Sequence, residues 1–127
     1  MSTPSLPPSL LRLRHSLHQQ PCWLSGYGKC HGRTTGQHLI SRGRTVKSPA
    51  ARAACEWLLV PVCMGHNISK LADAAWARRI LAERLAEIVG KEWLRAYIDG
   101  IPWKKPHPEL SYDAIMSALE YSGLSRP

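Results

Sequence analysis

Residues 60–70 read "VPVCMGHNISK" and place a thiol, Cys63, three positions before an imidazole, His66, with an amide, Asn67, directly after it. A C-x2-H pair on a turn that enters a helix is half of a zinc site. Zinc takes four soft or borderline ligands in a tetrahedron, usually supplied as two short pairs. Cys22 and Cys30 form the other pair, and the intervening residues include Gly26 and Gly28, which allow the loop to double back. His31 is an alternative to Cys30 at that corner. The fourth cysteine, Cys55, stands among Ala53, Ala54 and Trp57 and is expected to be a small buried hydrophobe. The bland alternative makes all four cysteines core residues. Two pairs flanking a strand–loop–strand segment favour a structural zinc, which gives a small, loop-rich domain folding free energy that its core does not supply. For Asn67, the simplest role is a helix N-cap.

The elements that must position these groups belong to a chain of 127 residues, the size of one domain with one modest core. Lys and Arg outnumber Asp and Glu 17 to 9, for a formal charge of +8. A small domain this basic most often meets a polyanion, and nucleic acid is the usual one. Glu56 is the only carboxylate before Asp73, so the positive charge is concentrated where the cysteines are. No apolar run approaches the roughly 20 residues that a bilayer needs, and no membrane partner is expected. Residues 1–20 lack the continuous apolar core of a secretory signal. Arg12 and Arg14 give that start a trace of transit-peptide character, but "STPSLPPS" reads as a disordered end. The cysteines are therefore expected to be reduced thiols serving metal or core.

The organisation expected is a disordered tail at 1–8, a core with a long helix at 9–90 and a helical extension at 91–127. Leu10, Leu13 and Leu17 predict a short helix over 9–19, which Pro21 stops. "CWLSGYGKCHGRTTG" predicts tight turns. "QHLIS" and "EWLLVPV" are candidate strands, joined by the basic, small-residue loop "RGRTVKSPAARAA". From Ser69 the pattern turns helical, with apolar residues at 71, 75, 81, 85 and 88 and a solvated face of Arg78, Arg79 and Arg84 alternating with Glu83 and Glu87. Gly90 stops or kinks that helix before "KEWLRAYI". "IPWKKPHPEL" is a Pro-broken basic loop, and "SYDAIMSALEYSG" is a terminal helix with Ser111 as N-cap and Gly123 as C-cap.

"GRTTGQHLISRG" followed by "LLVPVCMGHNISK" resembles the HNH, or His-Me finger, nucleases, in particular the small phage-type and recombination endonuclease VII-like members. The resemblance covers roughly residues 21–79. It implies an α+β fold, a small zinc-stabilised ββα-metal finger with additional N- and C-terminal helices. It also implies a metal-dependent endonuclease acting on DNA in a bacterial cytoplasm, with a phage or prophage source. In that family a histidine makes water nucleophilic and one divalent ion steadies the leaving oxygen. By resemblance, His38 is the general base, and Asn67, with Gln37, holds Mg²⁺ or Mn²⁺ through amide oxygens, which suit such ions. Cys22, Cys30, Cys63 and His66 take the zinc positions. A homodimer is implied if the substrate is a branched junction.

Two positions depart from the pattern. Gln37 stands where Asp or His is usual and brings no charge to the ion. Leu58 falls near the middle asparagine of the HNH name, so another group must prop the segment that carries the base. The rival reading is a zinc-stabilised DNA-binding or adaptor protein that kept the scaffold and lost the chemistry. A third is an interaction protein whose basic face docks on a partner. Arg42, Arg44, Lys47 and Lys70 are the expected phosphate contacts, extended by Lys29 and Arg33. Such contacts position DNA without reading its sequence and weaken steeply with salt. Trp103, next to Lys104 and Lys105, is a candidate stacking platform.

Overall fold

A computed structural model describes residues 5–120. Its one sheet pairs β1 (Thr34–His38) with β2 (Leu59–Cys63) antiparallel, Thr34 opposite Cys63 and His38 opposite Leu59. The ladder is extended at both ends, by the Met64 N–H to the Arg33 carbonyl at 2.8 Å and the Leu39 N–H to the Leu58 carbonyl at 2.9 Å. Counting along that alternation puts the Gly36–Pro61 pair at a non-hydrogen-bonded position. Pro61 therefore removes no rung of the ladder, and its carbonyl accepts the Trp23 N–H at 3.0 Å. The α+β class agrees with expectation, but the strand lies further upstream than "QHLIS": Leu39 and Ile40 leave the sheet and enter the core.

The segment expected to be a basic loop is mostly helical. It forms α2 (Arg42–Thr45) and α3 (Pro49–Cys55). Alanine is the best helix former, and Pro49 sits in the first turn, where its missing N–H costs nothing. Ala51 and Cys55, four apart, bury one face against Ile40, Ile101 and Leu110.

α4 (Met64–Ile68) follows β2 without a break. The long helix then starts later than expected. Lys70 has φ 62°, an uncommon left-handed conformation for a side chain with a Cβ. It separates α4 from a 3₁₀ turn at Leu71–Asp73 and from α5 (Ala75–Val89), so Lys70 is not in the first turn of the long helix. The buried stripe of α5 is Ala77, Arg78, Leu81, Ala82, Leu85 and Val89, whereas Ala75 and Ile88 face solvent. Gly90, at φ 96°, ends α5 and admits α6 (Lys91–Asp99) directly.

α1 (Pro8–His15) buries Leu10 and Leu13, and Leu17 follows in a 3₁₀ turn, as the periodicity predicts. Residues 1–4 of the expected tail lie outside the described residues. Within its remainder, the Ser5 carbonyl accepts Trp93 Nε1–H at 2.7 Å and Leu6 packs on the core. The same core joins Leu10, Val60, Leu81, Leu94 and Ile115, so the C-terminal helices share one interior with the hairpin.

The terminal helix α7 (Tyr112–Met116) is shorter than expected, and Gly123 lies outside the described residues. Ser111 is its N-cap, accepting the Ala114 N–H at 3.1 Å. Ser111→Ala should cost about 1 kcal/mol, read as a lower midpoint in thermal unfolding. No helix among the described residues is long and apolar enough to cross a membrane.

Candidate functional site

Cys22, Cys30, Cys63 and His66 converge, with their ligand atoms all within 4.8 Å of one another. Each is placed by local structure. Cys63 ends β2 and caps α4, its Sγ accepting the His66 N–H at 3.5 Å, so the three-residue spacing folds both ligands into one turn. The Cys22–Cys30 loop is pinned to β2 by the Trp23–Pro61 bond, and Gly26 and Gly28 turn it at φ 95° and 103°. Space is tight here. A Cβ on Gly65 would lie 2.8 Å from the His31 Cβ, so only glycine lets α4 meet the loop. The Gly65 N–H bonds the His31 carbonyl at 2.8 Å. His31 thus contributes backbone, and Cys30 rather than the His31 ring completes the cluster.

The donor set fits a tetrahedral metal. His66 Nε2–H donates to the Tyr27 carbonyl at 2.8 Å, which leaves Nδ1 as the lone-pair atom facing the thiols. From His66 Nδ1 the sulfurs of Cys63, Cys22 and Cys30 are 3.0, 3.4 and 3.9 Å away. Zn–S and Zn–N bonds of about 2.3 and 2.0–2.1 Å at tetrahedral angles give S···N of about 3.6 Å. Burial pushes the Cys22 thiol up to about 11, with Cys63 and Cys30 adding to it. Burial also acts on Cys63, but N–H groups of His66 and His31 and the side chains of His66 and Cys22 outweigh it and hold that thiol down to about 6. A Cys3His cluster of this kind could bind a structural metal such as zinc.

Cys55 stands apart, buried under α3, and its burial raises the thiol to about 12. In the metal-loaded protein, alkylation at neutral pH should leave Cys55 unmodified until denaturant is added, as peptide mass spectrometry will show.

The remaining site residues fall into two groups on opposite faces of β1, because successive strand side chains alternate. On the α4 side, Asn67 Nδ2 donates to Thr35 Oγ1 at 3.1 Å. Gln37, 7% exposed, donates from Nε2 to Asp73 Oδ1 at 3.2 Å and to the His38 carbonyl at 3.3 Å. Asn67, Gln37 and Asp73 thus line one side of the strand. His38 points to the other. Its Nε2 donates to Glu56 Oε2 at 3.0 Å, and Arg42 approaches Glu56 Oε1 at 3.4 Å. The Glu56 carboxyl is held below its usual range, chiefly by the His38 hydrogen bond. Among the described residues no hydrogen bond joins the His38 side chain to that of Gln37 or Asn67; of His38, Gln37 reaches only the carbonyl.

Glu56 and Asp73 are absent from the sequence-derived site. Glu56 had a signal, as the only carboxylate in the basic half. At the place of the missing asparagine, Leu58 is fully buried, and its carbonyl holds the Leu39 N–H. Backbone and Glu56 together steady the chain at His38.

Arg42 and Arg44 sit on α2, and Arg44 pairs with Glu109 at 3.4 Å. Exposed pairs of this kind are worth little, so each cation can turn to a phosphate. Lys47, Lys70, Lys29 and Arg33 are exposed. Trp103 is not a free platform: it is half-buried, packed on the Ile40 cluster and edge-on to His107 with ring centroids 4.6 Å apart. On α5, Arg79 pairs with Glu83 at 2.8 Å and Arg84 lies over Trp23, but Arg78 is buried rather than solvated.

Comparison of the chain with family models, with curated proteins and with solved structures gives no match.

Proposed function

We propose that this protein is a zinc-stabilised, metal-dependent endonuclease that hydrolyses DNA phosphodiester bonds. The reading is carried by the order β1–β2–α4, in which a Cys3His cluster at the hairpin's end fixes α4 against β1. That arrangement sets Asn67 against Thr35 and Asp73 against Gln37 along one face of β1, whose next residue is His38. Asp73 supplies the carboxylate that Gln37 lacks. Oxygen donors from two amides and one carboxylate suit Mg²⁺ or Mn²⁺ and suit zinc poorly. An ion held there would stabilise the charge on the leaving oxygen. His38, its Nε2 held by Glu56, keeps its other ring nitrogen for a proton from water. Arg42, Arg44, Lys47 and Lys70 supply cations for the DNA backbone.

One observation favours the rival, a DNA-binding scaffold without turnover. Gln37 is buried and already bonded to Asp73, and His38 faces the other side of the strand. Plasmid nicking by zinc-loaded protein, titrated with Mg²⁺ and Mn²⁺ beside a His38→Ala control, separates the two. Nicking that requires the added ion and the imidazole supports the nuclease. Equal inertness with DNA binding and zinc retained establishes the scaffold.

A further inference from the structure

Arg78 is the most anomalous charge among the described residues. It lies on the core side of α5, and only 7% of its surface is exposed. Its one side-chain hydrogen bond among the described residues runs from Nη2 to the backbone carbonyl of Asp73, at 3.3 Å. Nε is fully buried and has no partner. Nη1 makes no hydrogen bond among the described residues either, but it is not sealed off, so that edge of the fork still reaches solvent.

A buried guanidinium ordinarily faces a carboxylate or phosphate across two parallel hydrogen bonds. None is present here. No carboxylate among the described residues lies within ion-pair distance of Arg78. The nearby acids are committed elsewhere: Asp73 Oδ1 accepts from Gln37, and Glu109 Oε1 meets both Arg44 and His107. Burial and the positive charge of Arg44 both act against the Arg78 cation, and Asp73 and Glu109 offset them only in part. An under-bonded guanidinium with a second positive charge acting on it is short of one anion. The anchoring carbonyl belongs to Asp73, so that anion would sit beside the Gln37–Asp73 contact.

We infer that Arg78 and Arg44 form a receptor for a single phosphate group, and that its occupant is a backbone phosphate of the bound nucleic acid. Arg44 releases its loose contact with Glu109 to reach the anion, and Arg78 presents a fixed fork from the protein side. The assignment of nucleic acid rests on the proposed function; the anion site itself does not.

The test uses the full-length, zinc-loaded chain and needs no cleavage. Inorganic phosphate should raise the unfolding midpoint of the wild type but not of Arg44→Ala, whose exposed side chain can be removed without harm to the core. Duplex DNA should abolish the phosphate response by occupying the site. Arg44→Ala and Arg78→Lys should each weaken DNA binding about tenfold or more, equally across sequences, and each should lower the slope of log affinity against log salt by about 0.9. A phosphate response that persists in Arg44→Ala overturns the site. A response lost in Arg44→Ala while both variants bind DNA with the wild-type slope means a site for free phosphate, and overturns the nucleic-acid assignment. An inactive protein that shows the phosphate and salt effects leaves the inference standing and removes only the nuclease.

Discussion

Stripping the metal with a chelator should lower the unfolding midpoint by at least about 15 °C, and Cys63→Ser should reproduce the loss. The reason lies in what the cluster holds. The Cys22–Cys30 loop has no regular secondary structure and is closed by its two cysteines. Through His66 and Cys63 the same cluster fastens the hairpin to α4. Apparent zinc binding in small metal domains is worth about 10–16 kcal/mol at neutral pH, against about 5–15 kcal/mol for the stability of a whole domain. Even if the hydrophobic core limits the loss to about 4 kcal/mol, about 4 °C per kcal/mol gives the stated drop. Metal analysis should find one ion per chain, absent in Cys63→Ser and unchanged in Cys55→Ala. A chelator-treated protein with an unshifted midpoint would show that the cluster is only a set of core side chains.

The Cys3His cluster was legible in the sequence as two short pairs, although those pairs meet across 36 and 44 residues. Cys63 and His66 share one turn, and the loop glycines announce a chain that doubles back. Choosing Cys30 over His31 needed the close approach of Gly65, a tertiary contact that spacing does not encode. The short helices α2 and α3 were hidden for another reason. Seven residues with two buried small side chains carry too little periodicity to read, although their alanines favour helix. Along α5 the apolar positions read from 71 to 88 straddle two faces. The true stripe is set by where α5 begins, after the left-handed Lys70, and that displacement carries Arg78 inward. Glu56 and Asp73 reach the site across 18 and 36 residues of sequence, so only folding reveals them.

On the proposed nuclease reading, His38→Ala should reduce metal-dependent nicking by about 10²–10⁴-fold, the usual contribution of a positioned general base. Zinc content should be unchanged, since His38 is not in the cluster. Its half-exposed bond to Glu56 belongs to a class of contacts worth about 0–1 kcal/mol, so the midpoint should move little. Asn67→Ala should differ in kind. Removing an oxygen donor should raise the Mg²⁺ concentration needed for half-maximal nicking, and excess ion should recover part of the rate. Glu56→Gln tests whether the strand's two faces work as one site. Glutamine retains an oxygen that can accept the His38 N–H but carries no charge, so an intermediate rate with a changed pH profile places Glu56 as the group that orients His38. A Glu56→Gln protein with the wild-type rate and pH profile would make that pair a surface contact. If His38→Ala also cut as well as the wild type, the base would lie elsewhere, and the cation site proposed at Asn67, Gln37 and Asp73 would have to be reassigned with it.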